Sequence, residues 1–295
     1  MLHDSGRDVP SRFDHAMMTS ALTPPFEGCR FSYEQAGSGP PVVFIQGVGV
    51  HGSGWSPQVS GLAAEYACLT FDNRGIGNSQ PQGVALSVEQ MARDVCYLLD
   101  HVGWESAHVV GHSLGGPIAM QLALQNPLRV RSLSLLCTVG RGRDATRLSG
   151  RMLMLGMLSR LGPRRSRRRA FLRIVMSRSA LRRGDADAVA RDLGPLFGHD
   201  LADQPPITMK QLAALRAFDA SDRLGVLSGT PTLVISAAED PIAPPQVGAA
   251  LADAIPGARY EQIQDASHGV TIQHAATINA LLRTHVAGVE ARADR

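Results

Sequence analysis

Gly111-His112-Ser113-Leu114-Gly115 sets a serine between two glycines, after the apolar run Ala107-His108-Val109-Val110 and before the helix-forming Gly116-Pro117-Ile118-Ala119-Met120-Gln121-Leu122-Ala123-Leu124. G-x-S-x-G at a strand-to-helix junction is a sharp turn that lifts a serine hydroxyl clear of its backbone. A serine hydroxyl is a poor nucleophile near neutral pH, so it needs a base to take its proton and a carboxylate to orient that base. Two later loops offer these groups. Asp240, in Ser236-Ala237-Ala238-Glu239-Asp240-Pro241, follows the strand expected over Thr232 to Ile235, and His268, in Asp265-Ala266-Ser267-His268-Gly269, follows the last expected strand. An Asp before Pro also serves as a turn or helix cap, and any of the ten histidines could simply lie on the surface. The loop positions single these two out. Asp265 is a weaker alternative acid, too near His268 and on the same loop; His112 is expected to pack within the turn rather than move protons, and His274 to be structural within a helix.

These residues need a scaffold that brings distant loops together. Val42-Val43-Phe44-Ile45 and Ala67-Cys68-Leu69-Thr70-Phe71 read as buried strands, with further strands at Arg131 to Cys137, Pro231 to Ser236 and Ala258 to Ile263. Ser87 opens a helix whose Val88, Met91, Val95, Leu98, Leu99 and Val102 recur at helical spacing, and helices are expected at Gln246 to Ala254 and Val270 to Val286. Such alternation predicts an α/β fold, a mainly parallel doubly wound sheet covered by helices. With 295 residues and 44% hydrophobic content the chain can bury one large core.

Several classes fall away on composition. No run approaches the roughly 18 apolar residues that span a bilayer, and Met1 to Pro25 carries charges without an apolar stretch. A cytoplasmic protein with a flexible tail over residues 1–25 is expected, with no membrane or nucleic-acid partner. Cys29, Cys68, Cys96 and Cys137 lie singly, which predicts buried free thiols rather than disulfides or a metal site.

Between Val139 and about Val226 strand patterning disappears, and helices are expected at Leu148 to Leu161, Ser166 to Met176, Asp185 to Leu196 and Thr208 to Phe218. Residues 141–191 hold fifteen Arg against three Asp, in a chain whose net charge is only +3. This points to an inserted Arg-rich helical lid over residues 140–226, between core segments 26–139 and 227–295. The run Arg164, Arg165, Arg167, Arg168 and Arg169 reads first as a solvated helix face; a counter-charge for anions and a nucleic-acid or membrane contact are the alternatives. Aromatic side chains that could stack bases do not interleave with it.

The chain resembles the α/β-hydrolase superfamily over roughly residues 27 to 288. Ser113, Asp240 and His268 follow the family's order of nucleophile, acid and base. Asp72-Asn73-Arg74-Gly75-Ile76-Gly77-Asn78-Ser79 matches its D-x-R-G-x-G-x-S loop, in which Asp72 and Arg74 are expected to brace the turn. Gln46-Gly47-Val48-Gly49, with Trp55 further on, matches the oxyanion loop, although the family usually has His-Gly where this chain has Gln46-Gly47; His51-Gly52 offers another alignment. The resemblance implies an oxyanion hole from the N–H groups of Val48 and Leu114, with Gly47, His112 and Trp55 at the substrate. It implies no cofactor, no metal and a small-molecule ester or lactone substrate hydrolysed by a serine esterase or enol-lactone hydrolase. C–C bond hydrolysis, perhydrolysis and a small-ligand receptor role on the same fold remain the other readings.

Overall fold

The computed structural model describes residues 18–81, 85–145 and 150–293. Eight strands form one sheet: β1 (Met18–Leu22), β2 (Ser32–Ala36), β3 (Pro41–Ile45), β4 (Ala67–Phe71), β5 (Ala107–His112), β6 (Val130–Leu136), β7 (Thr232–Ala237) and β8 (Arg259–Ile263). Their order across the sheet is β1-β2-β4-β3-β5-β6-β7-β8. β1 pairs antiparallel with β2, and β2 with β4; every later pairing is parallel. Parallel strands buried on both faces should read as continuous apolar runs, and β3, β4 and β5 do. Val43, Ile45 and Val109 point into one core, shared with helices α2 (Val88–His101) and α3 (Gly115–Gln125), while Val42, Phe44 and Val110 point into a second. That second core is closed by α1 (Ser56–Leu62), α11 (Val270–Gln273) and α12 (Ala275–Ala293).

The Ser87 hydroxyl caps α2 by accepting the Gln90 N–H, which fixes where the helix starts. The D-x-R-G loop is braced as expected. The Arg74 guanidinium donates to both carboxylate oxygens of Asp94 on α2 and to the Glu27 carbonyl, and Asp72 accepts the Gly52 N–H at 2.8 Å.

Between β6 and β7 the chain is helical: α4 (Gly142–Ala145), α5 (Gly150–Leu158), α6 (Arg164–Val175), α7 (Arg178–Arg183), α8 (Ala186–Phe197) and α9 (Thr208–Ala217); α10 (Pro245–Ala254) follows β7. The insertion has a small core of its own, centred on Leu172, Leu193, Phe197 and Leu201. Its Arg run lies on an exposed helix face and is ion-paired there. Arg164 pairs with Asp200 and Asp203, Arg168 with Asp200, and Arg165 and Arg169 with Asp187.

Three expectations need correction. Met18–Leu22, inside the stretch read as a flexible tail over residues 1–25, is an edge strand; residues 1–17 lie outside the described part, as does the start of the helix expected from Leu148. The closing helix is interrupted at His274, which ends α11 and whose Nε2 donates to the Asp265 carbonyl at 3.0 Å. Cys96 is only partly buried, unlike the other three free thiols.

Candidate active site

The register of the sheet decides what meets at its C-terminal edge. Ile45 of β3 lies opposite Gly111 of β5, and His112 opposite Leu136 of β6, so Gly47, Ser113 and Cys137 emerge side by side. Leu136 pairs with Ile235 of β7, and Ala237 with Ile263 of β8, which delivers the Asp240 and His268 loops to the same edge.

Ser113 stands at φ 54°, a left-handed conformation that costs a non-glycine residue free energy. The surrounding structure holds it there: its N–H donates to the Leu136 carbonyl at 3.0 Å, and the Thr138 hydroxyl donates to its carbonyl at 2.6 Å. The flanking glycines are required by space. A Cβ on Gly111 would strike the Gly115 backbone, and one on Gly115 would strike the Ile45 carbonyl. The loop that carries Gly47 presses close, since a Cβ on Gly47 would sit 2.9 Å from Ser113 Cβ and 3.4 Å from its Oγ. The N–H groups of Val48 and Leu114 find no acceptor among the described residues.

His268 and Asp240 are joined by a 2.7 Å hydrogen bond from Nδ1 to Oδ2. The Asp240 side chain is fully enclosed, and its other oxygen accepts the N–H groups of Ile242 at 2.8 Å and Ala243 at 3.0 Å. Two backbone donors therefore fix the carboxylate that orients the imidazole. Asp265 points elsewhere, to Ser179 and Arg183 of α7, which hold its carboxyl below the usual range.

His112 lies under His268, with ring centroids 4.9 Å apart, and its Nε2 donates to the His268 carbonyl at 2.8 Å. Burial, then the neighbouring His268, pushes its pKa down to about 3, so it stays neutral and braces the loop. Trp55, expected at the substrate, is instead fully buried in the second core against Phe44. An indole packed beneath β3 offers a ligand no surface. His112, Cys137 and His268 place nitrogen and sulfur atoms within 4.8 Å of one another. They make a poor metal site: His268 Nδ1 is committed to Asp240, and burial, then the Asp240 charge, drives the Cys137 thiol well above its ordinary pKa, away from the ligating thiolate.

The insertion is tied to both halves of this site, through residues that sequence reasoning missed. Gln211 of α9 accepts the Gly49 N–H at 2.8 Å, and His199 Nε2 donates to the Gly49 carbonyl at 2.9 Å, one residue beyond Val48. On the other side the Ser267 hydroxyl donates to the Ile174 carbonyl at 2.9 Å and the Gly269 N–H to the Val175 carbonyl at 2.8 Å, pinning the His268 loop to α6.

A serine on a strand-to-helix turn of a mostly parallel eight-stranded sheet, with an Asp–His pair on later loops, is the arrangement of one enzyme class, the α/β hydrolases. The family profile described as alpha/beta hydrolase fold matches residues 40–275, and the chain belongs to that family. It is 30% identical to a protein of Azorhizobium caulinodans with the provisional name carbamate hydrolase RutD, over 85% of this chain and 92% of that one. It is 33% identical to a Mycobacterium tuberculosis protein with the provisional name non-heme bromoperoxidase BpoC, over 88% of this chain and 98% of that one. Among solved structures, the enol-lactonase of Burkholderia xenovorans superposes with a TM-score of 0.72 at 25% identity, covering 88% of this chain and 98% of that one. Family and relatives together make the protein a hydrolase. Among the described residues no helix is long and apolar enough to cross a membrane.

Proposed function

We propose that the protein is a serine hydrolase that cleaves a carboxylic ester or lactone through an acyl-enzyme. The observation that carries this reading is the strained Ser113 beside two unused N–H groups, on the same sheet edge as the 2.7 Å His268–Asp240 pair. In this mechanism Ser113 Oγ attacks the substrate carbonyl while His268 Nε2 accepts its proton. Asp240 holds Nδ1–H and stabilises the imidazolium. The developing oxyanion takes hydrogen bonds from the Val48 and Leu114 N–H groups, each donor worth about a hundredfold or more in rate. His268 then protonates the leaving alkoxide and activates the water that releases the acid.

Residues 140–226 act in this scheme as a lid, an assignment supported by their hydrogen bonds to the oxyanion loop and to the His268 loop. The likeness to the Burkholderia enol-lactonase supports a cyclic or open-chain ester. Perhydrolysis is a second reading, favoured by the likeness to BpoC; there hydrogen peroxide in place of water would release a peracid from the same acyl-enzyme.

The test is turnover of short-chain p-nitrophenyl esters, lactones and carbamates by the wild type and by Ser113→Ala, with and without hydrogen peroxide. Ester or lactone cleavage that falls on the order of 10³-fold or more in the variant is expected. Carbamates as the only substrates turned over, or equal rates in both proteins, would overturn the assignment.

A further inference from the structure

A cavity of about 650 Å³ opens beside the triad, between the loop carrying Asp240 and helices α5, α6 and α7 of the insertion. Ser113 and His268 do not line it. Asp240 gives it main chain only, because the carboxylate is fully enclosed on the His268 side.

The cavity's charge is unbalanced. Arg173, Arg178 and Arg182 line it, against the single available carboxylate of Glu239. Arg178 has that carboxylate 3.7 Å away, whereas Arg173 and Arg182, both exposed, have no ion-pair partner among the described residues. Elsewhere the insertion does supply acids: Arg164, Arg165, Arg168 and Arg169 are all matched by Asp187, Asp200 and Asp203. The N-terminus of α10 also faces the cavity through Pro244, Pro245 and Gln246, with no acidic residue in its first turn. The positive end of a helix dipole adds to the attraction for an anion. The lining also includes the apolar side chains of Leu155, Met176 and Leu181.

We propose that this cavity binds a small organic acid, its carboxylate among Arg173, Arg178 and Arg182 and its hydrocarbon body against Leu155, Met176 and Leu181. Guanidinium forks match a carboxylate, and about 300–1,000 Å³ is the size range of small-molecule sites. Inorganic phosphate would satisfy the arginines and leave the apolar wall wet. A bound acid bridges the insertion to the loop that holds Asp240, so occupancy reaches the triad from its acid side. If the protein cleaves esters or lactones as proposed above, its own product belongs to this ligand class. That link rests on the functional reading; the binding site does not.

The test is calorimetric titration of the full chain carrying Ser113→Ala, so that binding is read without turnover. Octanoate is the probe, with octanamide and inorganic phosphate as comparators. Octanoate should bind at least tenfold more tightly than either comparator. Arg173→Gln with Arg182→Gln should weaken it tenfold or more, while Arg173→Lys with Arg182→Lys, which keeps the charge and gives up the fork, should weaken it less than the glutamine pair. Failure of octanoate to bind, equal affinity for octanamide or phosphate, or indifference to the glutamine pair would overturn the proposal.

Discussion

Ser113 owes its poise to neighbours that are not reactive. The Leu136 carbonyl, the Thr138 hydroxyl and the close backbone of Gly115 hold it at φ 54°, and Ile242 and Ala243 hold the carboxylate that orients His268. Asp240→Asn should therefore cut kcat on the order of 10³- to 10⁴-fold, because the amide can favour the wrong imidazole tautomer. Asp265→Asn, whose side chain reaches Ser179 and Arg183 rather than His268, should stay within a few-fold of wild type; steady-state rates on one ester decide, and the reverse ranking would move the acid to Asp265. Ser113 comes directly after β5, while Asp240 and His268 lie three and five residues beyond β7 and β8, and these loop positions after strands are what made them candidates in the sequence. Gln211 and His199 could not be found this way. They meet Gly49 across 162 and 150 residues, and nothing local in a polar helix or loop signals such a contact. Trp55 shows the opposite failure, in which a residue near a motif in sequence was read as near the substrate, while the turn carries its ring into the core.

Among the elements, the parallel strands were legible because burial on both faces leaves continuous apolar runs, as in Val42 to Ile45. β1 and β2 lie at the antiparallel edge, half wet, and their Met-Thr-Ser-Ala-Leu and Ser-Tyr-Glu-Gln-Ala sequences carry no such run. The break at His274 was hidden because apolar residues continue on both sides of it. The join between the turn after β4 and α2 rests on Arg74 and Asp94, whose side chains are 1% and 2% exposed. Removing one partner leaves a buried charge without compensation, so Arg74→Ala or Asp94→Ala should each cost about 3–5 kcal/mol of unfolding free energy. Urea denaturation measures this; a loss under about 1 kcal/mol would mean that water reaches the pair.

At the scale of the whole molecule, charge is arranged by region. The surface ion pairs of the insertion are solvent-screened and weaken with salt, so between pH 6.5 and 4 the buried histidines dominate the pH response. Burial pushes His112 down to about 3 and His285 to about 4 from the ordinary 6.5, and lowers His108 despite its Glu290 partner. Below pH 6.5 the unfolded chain binds protons at these positions that the folded chain refuses. Stability should thus fall steadily as pH drops from 6.5 towards 4, and His285→Gln should make that slope shallower. Urea midpoints across the range test this, and a flat profile would contradict the burial of these rings.

The central claim is that Ser113 is the nucleophile. A fluorophosphonate reacts with an activated serine, and peptide mass mapping of the labelled chain reads which residue carries the adduct. One adduct, on Ser113, abolished by His268→Ala, is the predicted result. No adduct on the folded wild-type protein, or an adduct on another residue, would contradict the account.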